Sequence, residues 1–194
     1  MDKKITNYIE NSIAVKNAIL QNKQIIKNIS ASVKLISDTY KSGGKILIAG
    51  NGGSAADAQH IAGEMVSKFF FDRPGLPAIA LTTDTSIITA IGNDYGYEKL
   101  FERQLQANAK QNDVFIGITT SGTSKNLLKA FNYCKENGIK TISFIGENDS
   151  AVKDVCDICI SVPSCITPHV QESHITIGHV ICAMVEDIIF GKNK

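Results

Sequence analysis

The stretch Lys45-Ile-Leu-Ile-Ala-Gly-Asn-Gly-Gly-Ser54 decides the fold, because it leads from a short apolar run through three glycines into a helical pattern. The run at 45–49 predicts a buried strand, and the residues after the glycines predict a helix over 54–67 with Ser54 as its N-cap. Glycines let a ligand approach the main chain, and the free N–H groups of a helix start attract anions. His60 and Glu64 are spaced to share one face of that helix.

Apolar runs and helical patterns alternate along the rest of the chain. This alternation predicts an α/β fold in which helices cover both faces of a doubly wound, mainly parallel, five-stranded sheet. The predicted strands are 45–49, 78–81, 113–118, 140–145 and 158–162, and the predicted helices are 54–67, 84–92, 97–109, 124–137, 148–153 and 168–190. We expect a single domain, with an N-terminal helical segment at 1–42 and an α/β core at 43–194.

The N-terminal segment has its own helical pattern. Isoleucines and a valine recur at helical spacing over residues 5–40, which predicts one long helix or two shorter helices with a break near Asn22. These helices could pack against another subunit, or they could only cover the sheet of their own chain. We expect a mixture of the two.

The composition excludes several classes of protein. Of the 194 residues, 43% are hydrophobic, which suits a globular core, and the formal net charge of +1 gives no electrostatic footprint for nucleic acid. We expect no signal peptide, no segment long enough to span a bilayer and no membrane partner. Five cysteines, an odd number, indicate reduced thiols in the cytoplasm. Cys156 and Cys159 form a C-x-x-C in a predicted strand, where they would point to opposite faces and pack as ordinary thiols.

The glycine-rich loop also fits a weak dinucleotide-binding fingerprint, Gly50-x-Gly52-x-x-Ala55. A nicotinamide dinucleotide site would need an acidic residue about twenty positions later, at the end of the next strand. Asp72 precedes that strand and Asp84 lies too far beyond it, so a dehydrogenase is a poor match. A tight turn without any ligand is the other alternative, and the run Asn-Gly-Gly-Ser makes it less favourable.

A second loop, Thr119-Thr-Ser-Gly-Thr-Ser124, lies between a strongly apolar strand and a helix. Hydroxyl groups and main-chain N–H groups at a helix start can surround a phosphate. A plain N-cap would need one hydroxyl, whereas this loop has five. We therefore interpret it as a phosphate-binding loop.

Two further polar groups are less specific. Asn93-Asp94 alone would be an ordinary Asx turn, but beside the two loops it could bind sugar hydroxyls. The last helix carries Gln171, His174 and His179, and an isolated histidine there is more often packed in the core than a ligand. Gln171 and His179 would lie about 12 Å apart along a straight helix, so one ion would need a distorted helix start or two copies of the chain. This spacing indicates a site between subunits.

Together these motifs resemble those of the phosphoheptose isomerases, in the sugar-isomerase (SIS) family. They are Gly50-Asn-Gly-Gly-Ser54 with His60 and Glu64, Ala90-Ile-Gly-Asn-Asp94, Gly117-Ile-Thr-Thr-Ser-Gly-Thr-Ser124, and Gln171-Glu-x-His174 with His179. The resemblance runs from about residue 40 to the end. It implies a flavodoxin-like SIS domain, a homotetramer with its active site between subunits, and one zinc ion per subunit. It also implies conversion of sedoheptulose 7-phosphate to D-glycero-D-manno-heptose 7-phosphate, for lipopolysaccharide or capsule synthesis.

The resemblance implies roles for individual residues as well. Glu64 and His179 would form the catalytic acid–base pair. The metal ligands would be His60, Glu64, Gln171 and His179. The substrate would contact Asn51, Gly52, Gly53, Ser54, Glu64, Asn93, Asp94 and Gln171, and its phosphate would bind Thr119, Thr120, Ser121 and Ser124. Thr119 stands where serine is usual, and Pro168-His169 replaces a more polar pair, so no charge contact is expected from that pair.

The chemistry of aldose–ketose isomerisation suits this set, because a proton must move between neighbouring carbons through an enediol. Either Glu64 or His179 could remove the first proton, since a carboxylate held by a metal is a weaker base. A metal would stabilise the developing negative oxygen. The alternative from another class is a non-catalytic SIS protein that binds a phosphosugar or a protein partner. Such relatives can lose the acid–base residues, whereas this chain has both.

Overall fold

The structure is a computed structural model that describes residues 1–148 and 150–191. Two helices, α1 (Asp2–Gln21) and α2 (Lys23–Lys41), precede an alternating α/β region. That region contains, in order, β1 (Ile46–Gly50), α3 (Gly53–Val66), β2 (Ala78–Ala80), α4 (Thr85–Asp94), a 3₁₀ turn (Tyr97–Lys99), α5 (Leu100–Asn108), β3 (Val114–Ile118), α6 (Lys125–Glu136), β4 (Lys140–Ile145), β5 (Ile158–Ser161) and α7 (Thr167–Phe190).

The sheet has five strands in the order β2-β1-β3-β4-β5, and every neighbouring pair is parallel. The predicted α/β fold with a parallel, doubly wound sheet is therefore confirmed. The central strands β1 and β3 pair Gly50 with Ile118 at their carboxyl ends. The glycine-rich loop and the hydroxyl-rich loop consequently leave the same edge of the sheet side by side, where ligands bind in folds of this kind.

Two apolar layers pack on the two faces of the sheet. In β1, Ile46 and Ile48 face the layer formed with α1, α2, α3 and α7, whereas Leu47 and Ala49 face the layer formed with α5 and α6. Because successive strand residues point to opposite faces, a strand buried on both sides must be apolar throughout. This explains the continuous apolar run at residues 46–49.

Asn22 separates the two N-terminal helices, as predicted. Its backbone is extended, and its side-chain oxygen accepts hydrogen bonds from the N–H groups of Gln24 and Ile25, so it caps the start of α2. The two helices differ in burial. In α2 a full stripe that includes Ile25 and Ile29 is buried, whereas in α1 only Ile19 is.

Three local predictions were wrong. Helix α3 begins at Gly53, with Gly52 as its N-cap at a φ of 56°, so Ser54 lies buried in the first turn and is not the cap. The predicted helix at 148–153 is absent from the described residues there, which form bends and turns, and position 149 lies outside the described residues. β5 begins after Cys156, and Cys156 and Cys159 therefore pack against the same apolar layer instead of facing opposite ways.

Helix α7 also corrects an expectation. It is 24 residues long and apolar enough to cross a membrane by length and composition, although we expected no such segment. Half of the most apolar 18-residue stretch of this helix is buried inside the fold, and the helix packs against α2 and α3. These properties are those of a core helix.

Candidate active site

His60, Glu64 and His179 form a compact cluster between α3 and α7. Nε2 of His60 lies 3.1 Å from Oε1 of Glu64 and 3.1 Å from Nε2 of His179. Each residue offers one ligand atom, and these atoms all lie within 4.8 Å of one another. His60 is exposed and the other two are half-buried, so the cluster is open to a ligand.

A close helix contact explains why the cluster forms. Gly178 precedes His179 in α7, and a Cβ atom placed there would lie 2.8 Å from Cδ1 of Ile61 in α3. The missing side chain lets the two helices approach closely. His60 and His179, each next to one of these contact residues, are thereby brought together from distant parts of the chain.

The three ligand atoms fit a divalent cation. Two imidazole nitrogens face each other, and in a hydrogen bond between them only one can carry the proton. A cation would accept the lone pairs of both nitrogens and of the carboxylate, and mixed nitrogen and oxygen donors are typical of zinc sites. The cluster can therefore hold a metal. Gln171, the fourth predicted ligand, lies on the same unbroken α7 helix as His179, so the distorted helix considered above is not observed.

The glycine-rich loop meets α7 through Gln171. A Cβ atom on Gly53 would lie 2.7 Å from Nε2 of Gln171, so the amide packs directly on the start of α3. Gly52, with its positive φ, turns the chain into that helix. The loop and the start of α7 are thus in contact, and His60, Glu64 and His179 lie farther along the same two helices.

Asn51 joins the glycine-rich loop to the hydroxyl-rich loop. Its side-chain oxygen accepts hydrogen bonds from Nδ2 of Asn126, at 2.9 Å, and from the hydroxyl of Tyr97, also at 2.9 Å. Asn126 is buried in the first turn of α6, two residues after Ser124. We did not select Asn126 or Tyr97 from the sequence, since an asparagine in a helix and a lone tyrosine have no pattern that would mark them.

The hydroxyl-rich loop is organised by its own side chains. Oγ1 of Thr119 is buried, accepts a hydrogen bond from the N–H group of Gly122 and lies 3.3 Å from Oγ of Ser124. Ser121 accepts a hydrogen bond from the N–H group of Thr123 and is exposed, whereas Thr120 and Ser124 are half-buried. The buried hydroxyl shapes the loop, and the remaining ones are accessible to an anion.

Asn93 and Asp94 lie at the end of α4, where both are exposed and Nδ2 of Asn93 donates to Oδ1 of Asp94 at 2.8 Å. The helix runs through both residues, so they do not form a separate turn. The chain that follows them brings Tyr97 to Asn51. Among the described residues, no hydrogen bond joins the side chains of Asn93 and Asp94 to the two loops or to the His60–Glu64–His179 cluster.

Comparison with known proteins matches this geometry to a family. The model of the SIS domain family matches residues 7–146. A phosphoheptose isomerase of Aneurinibacillus thermoaerophilus is 58% identical over 194 residues, covering 100% of this chain and 98% of its own. The chain belongs to the phosphoheptose isomerase family. A second member, phosphoheptose isomerase 2 of Campylobacter jejuni, is 59% identical and covers 97% of this chain and 94% of its own.

A solved phosphoheptose isomerase from Francisella tularensis has the same fold. It superposes with a TM-score of 0.91 at 35% sequence identity, over 95% of this chain and 97% of its own. Membership in the phosphoheptose isomerase family makes this chain an isomerase of sugar phosphates in heptose metabolism. The enzyme class expected from the motifs is confirmed.

The remaining histidines of this phosphoheptose isomerase family member are core residues. His174 is fully buried, and its Nε2 donates to the carbonyl of Ile145 at 3.2 Å. Burial lowers the pKa of His174 to about 4, because it opposes the charged form more than the hydrogen bond to Ile145 favours it. His169 is also buried and packs against Tyr8, with ring centroids 4.7 Å apart. Both therefore serve packing at the start of α7.

Proposed function

We propose that the enzyme converts sedoheptulose 7-phosphate to D-glycero-D-manno-heptose 7-phosphate through an enediol, for the synthesis of surface polysaccharide. One observation supports the proposal: the side chains of His60, Glu64 and His179 meet between α3 and α7, and α3 begins in a glycine-rich loop that Asn51 ties to the hydroxyl-rich loop. An isomerase of this kind needs proton-transfer groups at one end of the sugar and phosphate donors at the other. We infer that the 194 residues form a single SIS domain for this task.

We assign Glu64 and His179 to proton transfer between the two carbons and their oxygens. A positioned acid or base of this kind contributes about 10²–10⁴-fold. Glu64 comes from α3 and His179 from α7, so they can approach a flat enediol from different directions. Asn51, Gly52, Gly53, Ser54, Asn93, Asp94 and Gln171 would surround the rest of the sugar.

The phosphate would bind Thr120, Ser121 and Ser124, in the loop that Thr119 shapes. The supporting observation is that the loop precedes α6, whose first N–H groups are available to an anion. Since the phosphate is remote from the reacting carbons, Ser121→Ala should raise KM more than it lowers kcat. Steady-state kinetics test this, and the opposite pattern would assign the loop to the chemistry.

We propose zinc, one ion per subunit, as the metal held by His60, Glu64 and His179, with Gln171 as a further ligand. When bound, it would polarise the carbonyl and stabilise the negative oxygen of the enediol. Removal by a chelator should abolish isomerisation, and added zinc should restore it. Elemental analysis of the purified protein, together with activity before and after dialysis, checks both statements.

We propose a homotetramer whose subunits share the active site. Gln171 and His179 stand two turns apart on a regular helix, which favours contributions from two copies. A groove of about 940 Å³ between α1, α2 and α7 is lined by exposed Leu20, Val180, Met184 and Ile188. Apolar patches of this kind mark protein interfaces. We also infer a cytoplasmic location, supported by five free thiols.

The decisive experiment incubates the metal-loaded protein with sedoheptulose 7-phosphate and follows the aldose product by NMR. Glu64→Gln should lower kcat by at least about 100-fold, because it removes a proton-transfer group. Glu102→Gln, in a half-buried pair with Lys99, is the matched control and should behave as the wild type. If the wild type forms no aldose but still binds the sugar phosphate, a non-catalytic binding protein becomes the better description.

A further inference from the structure

A buried ion pair lies close to the cluster formed by His60, Glu64 and His179. Nε of Arg73 donates to Oε1 of Glu186 at 3.0 Å, and the two side chains are only 2% and 1% exposed. Arg73 belongs to the irregular segment 67–77 between α3 and β2, and Glu186 belongs to α7. The pair therefore connects the two helices that supply the cluster.

Arg73 holds the end of α3. Its Nη2 donates to the carbonyl of Glu64 at 2.9 Å, and its Nη1 donates to the carbonyl of Met65 at 2.5 Å. These are carbonyls of the last helical turn, which have no N–H partner within the helix. The planar guanidinium can bond both the helix end and Glu186 at once, which a lysine ammonium cannot reproduce. Arg73 is thus bonded to the main chain of the proposed proton-transfer residue Glu64.

Glu186 holds the other side of the cluster. Its two carboxylate oxygens accept hydrogen bonds from the N–H groups of Phe69, at 2.9 Å, and Phe70, at 2.7 Å. The ring of Phe69 packs against His179, with centroids 5.7 Å apart. Glu186 therefore fixes the segment that supports the imidazole of His179.

We propose that Arg73 and Glu186 are positioning residues for the active site, holding Glu64 and His179 at the separation that metal binding and proton transfer need. The inference rests on the proposed function. It goes beyond a structural ion pair because the two side chains bond the main chain of Glu64 and the segment that supports His179. Groups that orient metal ligands from behind affect affinity strongly when they are removed.

The test compares two variants with a matched control. Glu186→Gln removes the negative charge. Arg73→Lys keeps the positive charge but loses the planar guanidinium, which bonds several acceptors at once. The control is Asp113→Asn, because Asp113 is equally buried, pairs with Lys45 at 2.6 Å and accepts two main-chain N–H bonds, but lies at the opposite edge of the sheet. Zinc affinity is measured by competition with a chromophoric chelator. The values of kcat and KM are measured with sedoheptulose 7-phosphate as substrate, and stability is measured by thermal unfolding.

We expect Glu186→Gln and Arg73→Lys to weaken zinc binding by about 10- to 100-fold and to lower kcat more than they change KM. Asp113→Asn should lower the unfolding temperature while zinc affinity and kcat stay within about twofold of the wild type. The absorption spectrum of the cobalt-substituted protein should change in the first two variants only, because it reports ligand geometry.

Three outcomes would overturn the inference. The first is wild-type zinc affinity and kcat in both variants. The second is an equal loss in Asp113→Asn, which would mean that any buried ion pair has this effect. The third is failure of both variants to fold while the control folds, which would leave a purely structural role. If the wild type itself binds no zinc and forms no aldose, the proposed function fails first and this inference fails with it.

Discussion

Burial of His174 should make the fold sensitive to acid. Well above pH 6.5 this histidine is neutral in both the folded and the unfolded chain, and its titration has no effect on stability. Between pH 6.5 and 4 the unfolded chain binds a proton that the folded chain excludes, so the free energy of unfolding falls as the pH falls. Replacing His174 with glutamine removes the titrating group while its amide can still donate to the carbonyl of Ile145.

The magnitude follows from the two pKa values. Burial lowers the pKa of His174 from 6.5 to about 4, a difference of about 2.5 pH units. At about 1.4 kcal/mol per unit, the fold loses up to about 3.5 kcal/mol once the pH is well below 4. Between pH 7.5 and 5.0 the same linkage amounts to about 2 kcal/mol.

Urea unfolding at pH 7.5 and 5.0, at one fixed protein concentration, measures this difference. The variant His174→Gln should lose about 2 kcal/mol less than the wild type over that interval, although it starts from a lower stability. Phe115→Leu is the control, since Phe115 is fully buried in the apolar layer on the other face of the sheet and packs against Phe131 with centroids 5.1 Å apart. It should be less stable at both pH values and keep the wild-type pH dependence. Equal pH dependence in His174→Gln and the wild type would refute the burial argument.

Three other predictions concern the site. Gly122→Ala places a Cβ 2.1 Å from Oγ of Ser150 at a φ of 67°, so the loop must shift and KM should rise by about tenfold or more. Gly138→Ala, at a φ of 68° with nothing within 4 Å, is the control for backbone strain and should leave KM unchanged in the same assay. Asn126→Asp replaces the N–H donor to Asn51 with an oxygen and leaves Tyr97 as the donor to the Asn51 oxygen, so kcat/KM should fall about fivefold, since one hydrogen bond contributes about 1 kcal/mol. A wild-type kcat/KM in that variant would contradict the role of the Asn51–Asn126 pair. Dilution of the enzyme until sedimentation shows monomers should abolish turnover, and a fully active monomer would contradict a shared site.

The sequence was sufficient for much of the fold because the relevant signals are local. The continuous apolar run in β1 reflects burial on both faces, and the break at Asn22 reflects a side chain that caps the next helix. The two wrong predictions, a helix at 148–153 and an N-cap at Ser54, also concern local structure. Short segments of mixed composition have no periodicity that separates a helical turn from other turns.

Prediction of the candidate site depended both on local spacing in the sequence and on the resemblance to a family. The positions of His60 and Glu64 on one helical face follow from their spacing, and the grouping with His179 came from the resemblance to a family. No sequence pattern indicated the role of the residues that let His60, Glu64 and His179 come together. Gly178, which allows α7 to approach α3, is one glycine in a helix, and Asn126 lies in an ordinary helical start.

By itself, the sequence determined the strands, most of the helices, and where glycines and hydroxyls turn the chain, because these depend on neighbouring residues. Only the tertiary structure decided the strand order, the meeting of His60 with His179 and the burial of the Arg73–Glu186 pair. The physical reason is that such contacts join residues far apart in the chain. They form only when the packing of whole helices on the sheet brings those residues within reach of each other.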